Sequence, residues 1–166
     1  MIIYISGIPA AGKTTLVESI EKELGEHSEC SPFPLFKGKL YNDTFVMHCD
    51  TLSYGTIGKF KEFINFFEKS DMKNCLIEGD RFTSADSIEW LLDNYPESKV
   101  FILTVSKDIE EQRQESRTQS KQWINGRHTV INNIRKNFLL MNRLTIRDTS
   151  GKLEDVKQEI MDILDK

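Results

Sequence analysis

The sequence predicts an α/β protein, a parallel β-sheet covered by helices on both faces, and three observations predict it. Segments that read as strands alternate with segments that read as helices along the whole chain. The strand segments, such as Ile2-Ile3-Tyr4-Ile5 and Val100-Phe101-Ile102-Leu103-Thr104-Val105, are apolar runs rather than alternations, as in strands buried on both faces. The first strand also runs through a glycine-bearing turn directly into a helical pattern.

That turn is Gly7-Ile8-Pro9-Ala10-Ala11-Gly12-Lys13-Thr14. It fits G-x-x-x-x-G-K-[ST], the phosphate-binding (Walker A) pattern. The glycines allow backbone N–H groups to turn inward around an anion, and the start of the helix adds its positive dipole end. Lys13 is expected to reach the β- and γ-phosphates of a nucleoside triphosphate, and the Thr14 hydroxyl to take a place on Mg²⁺. Gly7, Ala10, Ala11, Gly12, Lys13, Thr14 and Thr15 form the expected nucleotide-binding set.

The helix after the turn runs from about Lys13 to Leu24, with Leu16, Ile20 and Leu24 at helical spacing and Gly25 as its stop. From His27 to Asp43 there is no clear period, Pro32 and Pro34 flank Phe33, and Lys37 and Lys39 add charge, so a surface loop is expected. Thr44-Phe45-Val46-Met47-His48 is the second strand, ending at Cys49-Asp50. Phe60, Phe63, Ile64 and Phe67 make one stripe of the next helix, which reads as core packing. Cys75-Leu76-Ile77-Glu78 is the third strand and runs into Gly79-Asp80-Arg81. Ile88, Leu91 and Leu92 mark a helix that stops before Pro96. Val100 to Val105 is the fourth strand, and a charged helical region follows from Asp108 to about Lys121. A further helix carries Val130, Ile134, Phe138 and Met141. Arg143 to Arg147 is a short last strand, and Leu153, Val156, Ile160 and Ile163 define a final amphipathic helix.

Composition sets the outer bounds. A chain of 166 residues predicts one domain, 1–166. With 39% hydrophobic and 29% charged residues it has a core to bury, which excludes a disordered chain. No apolar run approaches the ~20 residues that span a bilayer. The chain opens on a core strand, which leaves no room for a signal peptide, so a cytoplasmic protein with no membrane partner is expected. Cys30, Cys49 and Cys75 are odd in number and lack a C-x-x-C pairing, so they read as reduced thiols. His27, His48 and His128 are scattered, which argues against a zinc site. The net charge of -4 excludes a protein that is basic as a whole, so any polyanion must meet a local patch.

Ligands of such sheets sit at the carboxyl ends of the strands. Those ends present Gly7 to Thr14, Asp50, Asp80-Arg81, the segment after Val105, and Asp148-Thr149. Asp50 is placed either to take the proton of an attacking hydroxyl or to start a turn. Asp80 is placed to hold magnesium with Thr14, or to cap the helix from Thr83 onward. Glu78 is the competing acid and points the same way as Asp80 if the strand persists. Arg81 either grips a substrate phosphate or pairs with an acid. Arg113 and Arg117 are four apart and are expected to share a helix face. Lys121, Arg127, Arg135 and Lys136 follow, and from 113 to 136 the only acid is Glu115. This run reads as an arginine-rich lid at about 108–128. It would stabilise charge on a transferred phosphoryl group or contact nucleic-acid phosphates. Trp123 within it either stacks on a base or anchors the lid to the body. The expected catalytic set is therefore Lys13, Asp50, Arg113 and Arg117, with Thr14 and Asp80 for the metal and Asp50 and Arg81 for the substrate.

With these residues placed, the chain resembles the P-loop kinases, the large group of nucleotide, polynucleotide and metabolite kinases. The resemblance covers essentially the whole length and rests on the phosphate loop, Asp50, Asp80, the arginine lid and Asp148-Thr149-Ser150. It implies the P-loop NTPase fold, a three-layer sandwich with a five-stranded parallel sheet of order 2-3-1-4-5, and ATP with Mg²⁺ as the donor. Within the group the chain is most similar to phage-type polynucleotide kinases and to phage kinases of 5-hydroxymethyluracil in DNA. Asp50, Asp80, the pair Arg113 and Arg117, and the segment Thr129 to Lys136 match their pattern. Two features depart from it. Gly79-Asp80-Arg81 also resembles the Asp-Arg pair of thymidylate and deoxynucleoside kinases, and the linker Gln119 to Arg127 is longer. The implied reaction is transfer of the γ-phosphate of ATP to a hydroxyl of a nucleic acid or nucleoside. The alternative is a nucleoside monophosphate kinase, which needs no base and would use Arg81 for the acceptor phosphate. A nucleotide-binding switch is the third reading, and the absence of an NKxD guanine signature counts against it.

Overall fold

The computed structural model describes residues 1–33, 36–49, 57–151 and 153–165. Along the chain come β1 (Ile2–Gly7), α1 (Lys13–Leu24), β2 (Ser28–Phe33), β3 (Phe36–Tyr41), β4 (Thr44–His48), α2 (Ile57–Glu68) and β5 (Asn74–Glu78). They are followed by α3 (Ala85–Asn94), β6 (Lys99–Thr104), α4 (Lys107–Gln114), α5 (Lys121–Lys136), α6 (Phe138–Met141), β7 (Thr145–Asp148) and α7 (Leu153–Leu164).

The strands form one sheet of order β2-β3-β4-β5-β1-β6-β7. β1 lies in the middle, parallel to β5 and β6, with Ile5 opposite both Glu78 and Phe101. β4 adds in parallel to β5, and β7 to β6. Every residue of β1 and β5 is buried, in keeping with the apolar runs Ile2–Ile5 and Cys75–Ile77 at their centres. Among the helices α1 packs with α7, and α3 with α2 and α6. The aromatic stripe of α2 is core, with Phe60, Phe63, Ile64 and Phe67 all buried.

The sheet corrects the expectation of five parallel strands: it has seven and is mixed. The extra pair, β2 and β3, comes from the 27–43 stretch that reads as a surface loop. β2 is antiparallel to β3, and β3 to β4. Asn42 and Asp43 make the two-residue turn between β3 and β4, with Asn42 in the left-handed region at φ 51. Phe36 holds the pair to the body. It is 1% exposed and stacks on Phe63 with ring centroids 4.6 Å apart. Gly38 allows β3 to lie against β4, since a Cβ there would sit 2.3 Å from the Val46 carbonyl oxygen. A strand pinned by one aromatic and one close backbone approach shows no period, so its sequence does not announce it.

The carboxyl-terminal half needs three further corrections. The charged helix after β6 ends at Gln114 rather than near Lys121. A new helix starts at Lys121, where the Ser120 side chain accepts from the Trp123 N–H. It ends at Lys136, so Val130 and Ile134 do not share a helix with Phe138 and Met141. The Asn137 side chain accepts from the N–H groups of Leu139 and Leu140 and starts α6, which leaves Phe138 77% exposed. The last strand is Thr145–Asp148, starting two residues and ending one residue later than the expected Arg143 to Arg147.

Candidate active site

The loop between β1 and α1 is shaped by backbone contacts. Gly7 runs so close to β6 that a Cβ would stand 2.2 Å from the Leu103 carbonyl oxygen, and the next N–H, that of Ile8, donates to that oxygen at 3.1 Å. Ala10 at φ 59 and Gly12 at φ 81 take left-handed conformations that curl the chain into α1. No side chain caps α1, so the N–H groups of its first turn are left for an anion. A cavity of about 130 Å³ lies in front of them, walled by Lys13, Thr14, Glu78, Asp80, Arg117 and Trp123 among others.

Lys13 is buried. Its Nζ donates to the carbonyls of Gly7 at 3.2 Å and Ile8 at 3.1 Å and pairs with Asp80 Oδ2 at 3.1 Å. Behind Asp80 stands a group of hydroxyls. Ser6 Oγ donates to Asp80 Oδ1 at 2.9 Å and lies 2.6 Å from Thr83 Oγ1, which is 2.8 Å from the Tyr4 hydroxyl. Asp80 is thus an ion-pair partner and not a helix cap. Ser84 caps α3, its side chain accepting from the Ser87 N–H. Glu78 and Asp80 do line the same cavity, although β5 ends at Glu78 and strand alternation does not carry on to Asp80.

A second, partly buried chain starts at Thr14. Its hydroxyl donates to Glu78 Oε1 at 3.2 Å, and Glu78 Oε2 lies 2.8 Å from His48 Nδ1. His48 Nε2 faces Glu21 Oε2 at 3.4 Å, and Glu21 Oε1 accepts from the Tyr41 hydroxyl at 3.0 Å and pairs with Lys39 at 3.1 Å. The bond to Glu78 raises the His48 pKa above its ordinary value, against the opposing effect of burial and with the charges of Glu78 and Glu21 helping. Burial pushes the Glu21 carboxyl up, but the bonds from Lys39 and Tyr41 and the charge of His48 outweigh it and hold it low.

Arg113 and Arg117 do not share a helix face, because α4 ends at Gln114, between them. Arg113 donates to the Ala10 carbonyl at 3.0 Å and to the Thr149 carbonyl at 3.4 Å, so it grips the loop from outside. Thr149 adds a bond from its hydroxyl to the Ala11 carbonyl at 2.7 Å. Arg117 lines the cavity. Arg127 donates to the Asp80 carbonyl at 3.1 Å. Glu110 of α4 accepts from Gln114 at 2.8 Å and lies 2.7 Å from His128 of α5, which ties the two helices together. The basic run therefore has partners that its sequence hides: backbone carbonyls far along the chain, and an acid that precedes the run.

The structure brings Ala10, Gly12, Lys13, Thr14, Thr15, Asp80 and Arg117 into one cavity. Gly7 and Ala11 lie buried behind it. Arg81 is exposed and is not part of its wall. Trp123 is 41% exposed and stands in the cavity wall. Asp50 lies outside the described residues. Sequence reasoning missed Ser6, Thr83, His48 and Glu21. Tyr4 and Ser6 left a signal, as two hydroxyls at i and i+2 in an apolar strand. The His48–Glu78 contact left none, because it depends on β4 pairing with β5 in a register that sets these two residues opposite each other.

The donor set fits a magnesium–nucleotide complex. Thr14 and Asp80 would supply hard oxygen ligands, and among the described residues no group of three or more acids, histidines or cysteines forms a cage of its own. A cation held by one hydroxyl and one carboxylate takes its remaining ligands from phosphate oxygens and water, the habit of Mg²⁺. Among the described residues no helix is long and apolar enough to cross a membrane.

No protein-family model matches the chain, and no curated protein matches it by sequence. Solved structures do match it. A sugar kinase from Janibacter sp. HTCC2649 superposes with a TM-score of 0.62 at 10% identity, over 99% of this chain and 94% of that one. The YorR protein of Bacillus subtilis, solved in complex with phosphorylated GDP, gives 0.59 at 13% identity over 99% and 96%. A shikimate kinase from Bacteroides thetaiotaomicron gives 0.51 at 16% over 100% and 99%. The chain shares the fold of these solved structures.

Proposed function

We propose that the protein is an ATP-dependent phosphotransferase that moves the γ-phosphate onto a hydroxyl of a small molecule such as a nucleoside or a sugar, with 108–128 acting as its lid. The observation that carries this reading is the convergence of Lys13, Thr14, Asp80 and Arg117 on one cavity at the start of an uncapped helix. The loop N–H groups bind the triphosphate. Lys13, paired with Asp80 here, would turn to the phosphate oxygens, and Thr14 and Asp80 are the residues that would hold Mg²⁺. The metal, when bound, neutralises phosphate charge. Arg117 from the cavity wall stabilises charge on the transferred group, and Arg113 holds the loop in place through the Ala10 carbonyl. Asp50 takes the proton of the acceptor hydroxyl. Its place in the chain supports that role: it follows β4 by two residues, and β4 ends opposite Glu78.

A small acceptor is supported by two points. Neighbours of the same fold carry the names sugar kinase and shikimate kinase. In addition, Arg113 and Arg127 are engaged by carbonyls and His128 by Glu110, so the basic run is less available to a polyanion than its composition suggests. The test is transfer of labelled γ-phosphate with Mg²⁺ to nucleosides, sugars, 5′-hydroxyl DNA, hydroxymethyluracil DNA and nucleoside monophosphates. Lys13→Ala should abolish transfer. Asp50→Asn should keep ATP binding and lose about 10²–10⁴ in turnover, the usual contribution of a general base. Unchanged turnover would sink the base assignment. Label on DNA alone would make the protein a nucleic-acid kinase, and label on monophosphates alone a nucleotide kinase.

A further inference from the structure

We infer that His48 is a positioning residue for the cation site: it fixes Glu78, and Glu78 aims the hydroxyl of Thr14. The inference deepens the phosphotransferase reading and rests on it. A threonine hydroxyl has one hydrogen and two lone pairs, and it ligates a cation only through a lone pair. Here the hydrogen is already committed. Thr14 donates it to Glu78 Oε1 at 3.2 Å, so the lone pairs are left for the metal.

The direction of that bond depends on Glu78 staying where it is. Glu78 is 2% exposed, and its second oxygen is held at 2.8 Å by His48 Nδ1. His48 is held in turn from its far side by Glu21, and Glu21 by Tyr41 and Lys39. The links come from α1, β5, β4, α1 again and β3, so the antiparallel edge of the sheet buttresses the phosphate loop. Two carboxylates are set against the His48 ring and the Lys39 ammonium, which balances the chain when the imidazole is charged. Without His48, the two acids would face each other across the space of the ring, and Glu78 would lose the bond that fixes its orientation.

The experiment is calorimetric binding of ATP without acceptor, once with Mg²⁺ and once in EDTA, on the full chain. His48→Phe keeps a ring and removes both donors. It should weaken Mg·ATP binding about tenfold, at the lower end of what outer-shell partners contribute, and leave metal-free ATP within about twofold. His48→Gln keeps a donor for Glu78 and should recover most of the loss. In a Thr14→Ala background His48→Phe should cost nothing further. Equal losses with and without Mg²⁺, or a loss that adds fully to that of Thr14→Ala, would overturn the inference and make His48 a packing residue. If His48→Phe does not fold, His48→Ala replaces it in the same comparison, with the same outcomes for and against. Failure of the wild type to bind ATP under both conditions overturns the phosphotransferase reading itself, and this inference with it.

Discussion

At the scale of single residues, the phosphate loop is governed by room for backbone more than by side-chain chemistry. Gly7 is there because β6 passes where a Cβ would be, 2.2 Å from the Leu103 carbonyl oxygen. Backbone cannot swing aside as a flexible side chain does, so Gly7→Ala must push β1 from β6 in the middle of the sheet. The expected cost is about 1–3 kcal/mol, that of overpacking a core, read as a lower urea midpoint with an unchanged slope. A variant as stable as wild type would show that the close approach relaxes freely. Lys13 illustrates a different residue-scale point. The motif foretells a lysine that meets phosphate, and the structure shows what it meets otherwise: Asp80, the residue expected at the metal. One pair can hold both groups in place, because a buried ammonium and a buried carboxylate each need a partner.

At the scale of elements, the edge hairpin separates local from distant control. β3 is held by Phe36 against α2 and by the fit of Gly38 against β4. Gly38→Val places branched atoms where the Val46 carbonyl and the Phe45 ring already stand, with contacts of 2.3 Å and 2.6 Å from the Cβ alone. The expected result is local. In hydrogen exchange, amides of β2 and β3 lose protection while those of β1, β5 and β6 keep it, as for an edge unit that opens separately from the core. Loss of protection across the whole sheet would show that the hairpin is part of the global cooperative unit. The 108–128 segment, proposed above as a lid, shows the same division. α5 starts where the Ser120 side chain caps it, yet where α4 and α5 dock is decided by Arg113 on the loop, Arg127 on Asp80 and His128 on Glu110.

For the molecule as a whole, the partly buried Glu21–His48–Glu78 chain predicts how stability varies with pH. The folded His48 pKa lies above its ordinary value of 6.5. Its contribution is therefore complete below 6.5 and is lost as pH rises through the higher folded value. Glu21 is held below its ordinary value of 4.5, so its contribution is present above that value and is lost as pH falls through the lower one. The thermal midpoint of the wild type, measured against His48→Gln, should fall as pH rises above 6.5, and a difference that stays constant with pH would rule out a charged imidazole in this chain.

The sequence by itself determined what neighbouring residues decide together. The phosphate loop, the span Lys13–Leu24 of α1 with its Gly25 stop, the buried stripe of α2 and the apolar central strands are each set within a few residues, and the structure repeats them. Tertiary structure alone decided the seven-stranded mixed sheet, the hairpin at its edge, the Lys13–Asp80 pair, the chain from Thr14 to Lys39 and the grip of Arg113 on the loop. The physical reason is the same for each. Periodicity reports which face of an element is apolar, whereas a buried ion pair or a strand neighbour depends on a partner distant in the chain, 67 residues away for Lys13 and Asp80 and 30 for His48 and Glu78. Such a pair leaves no local trace until the strand register sets it side by side.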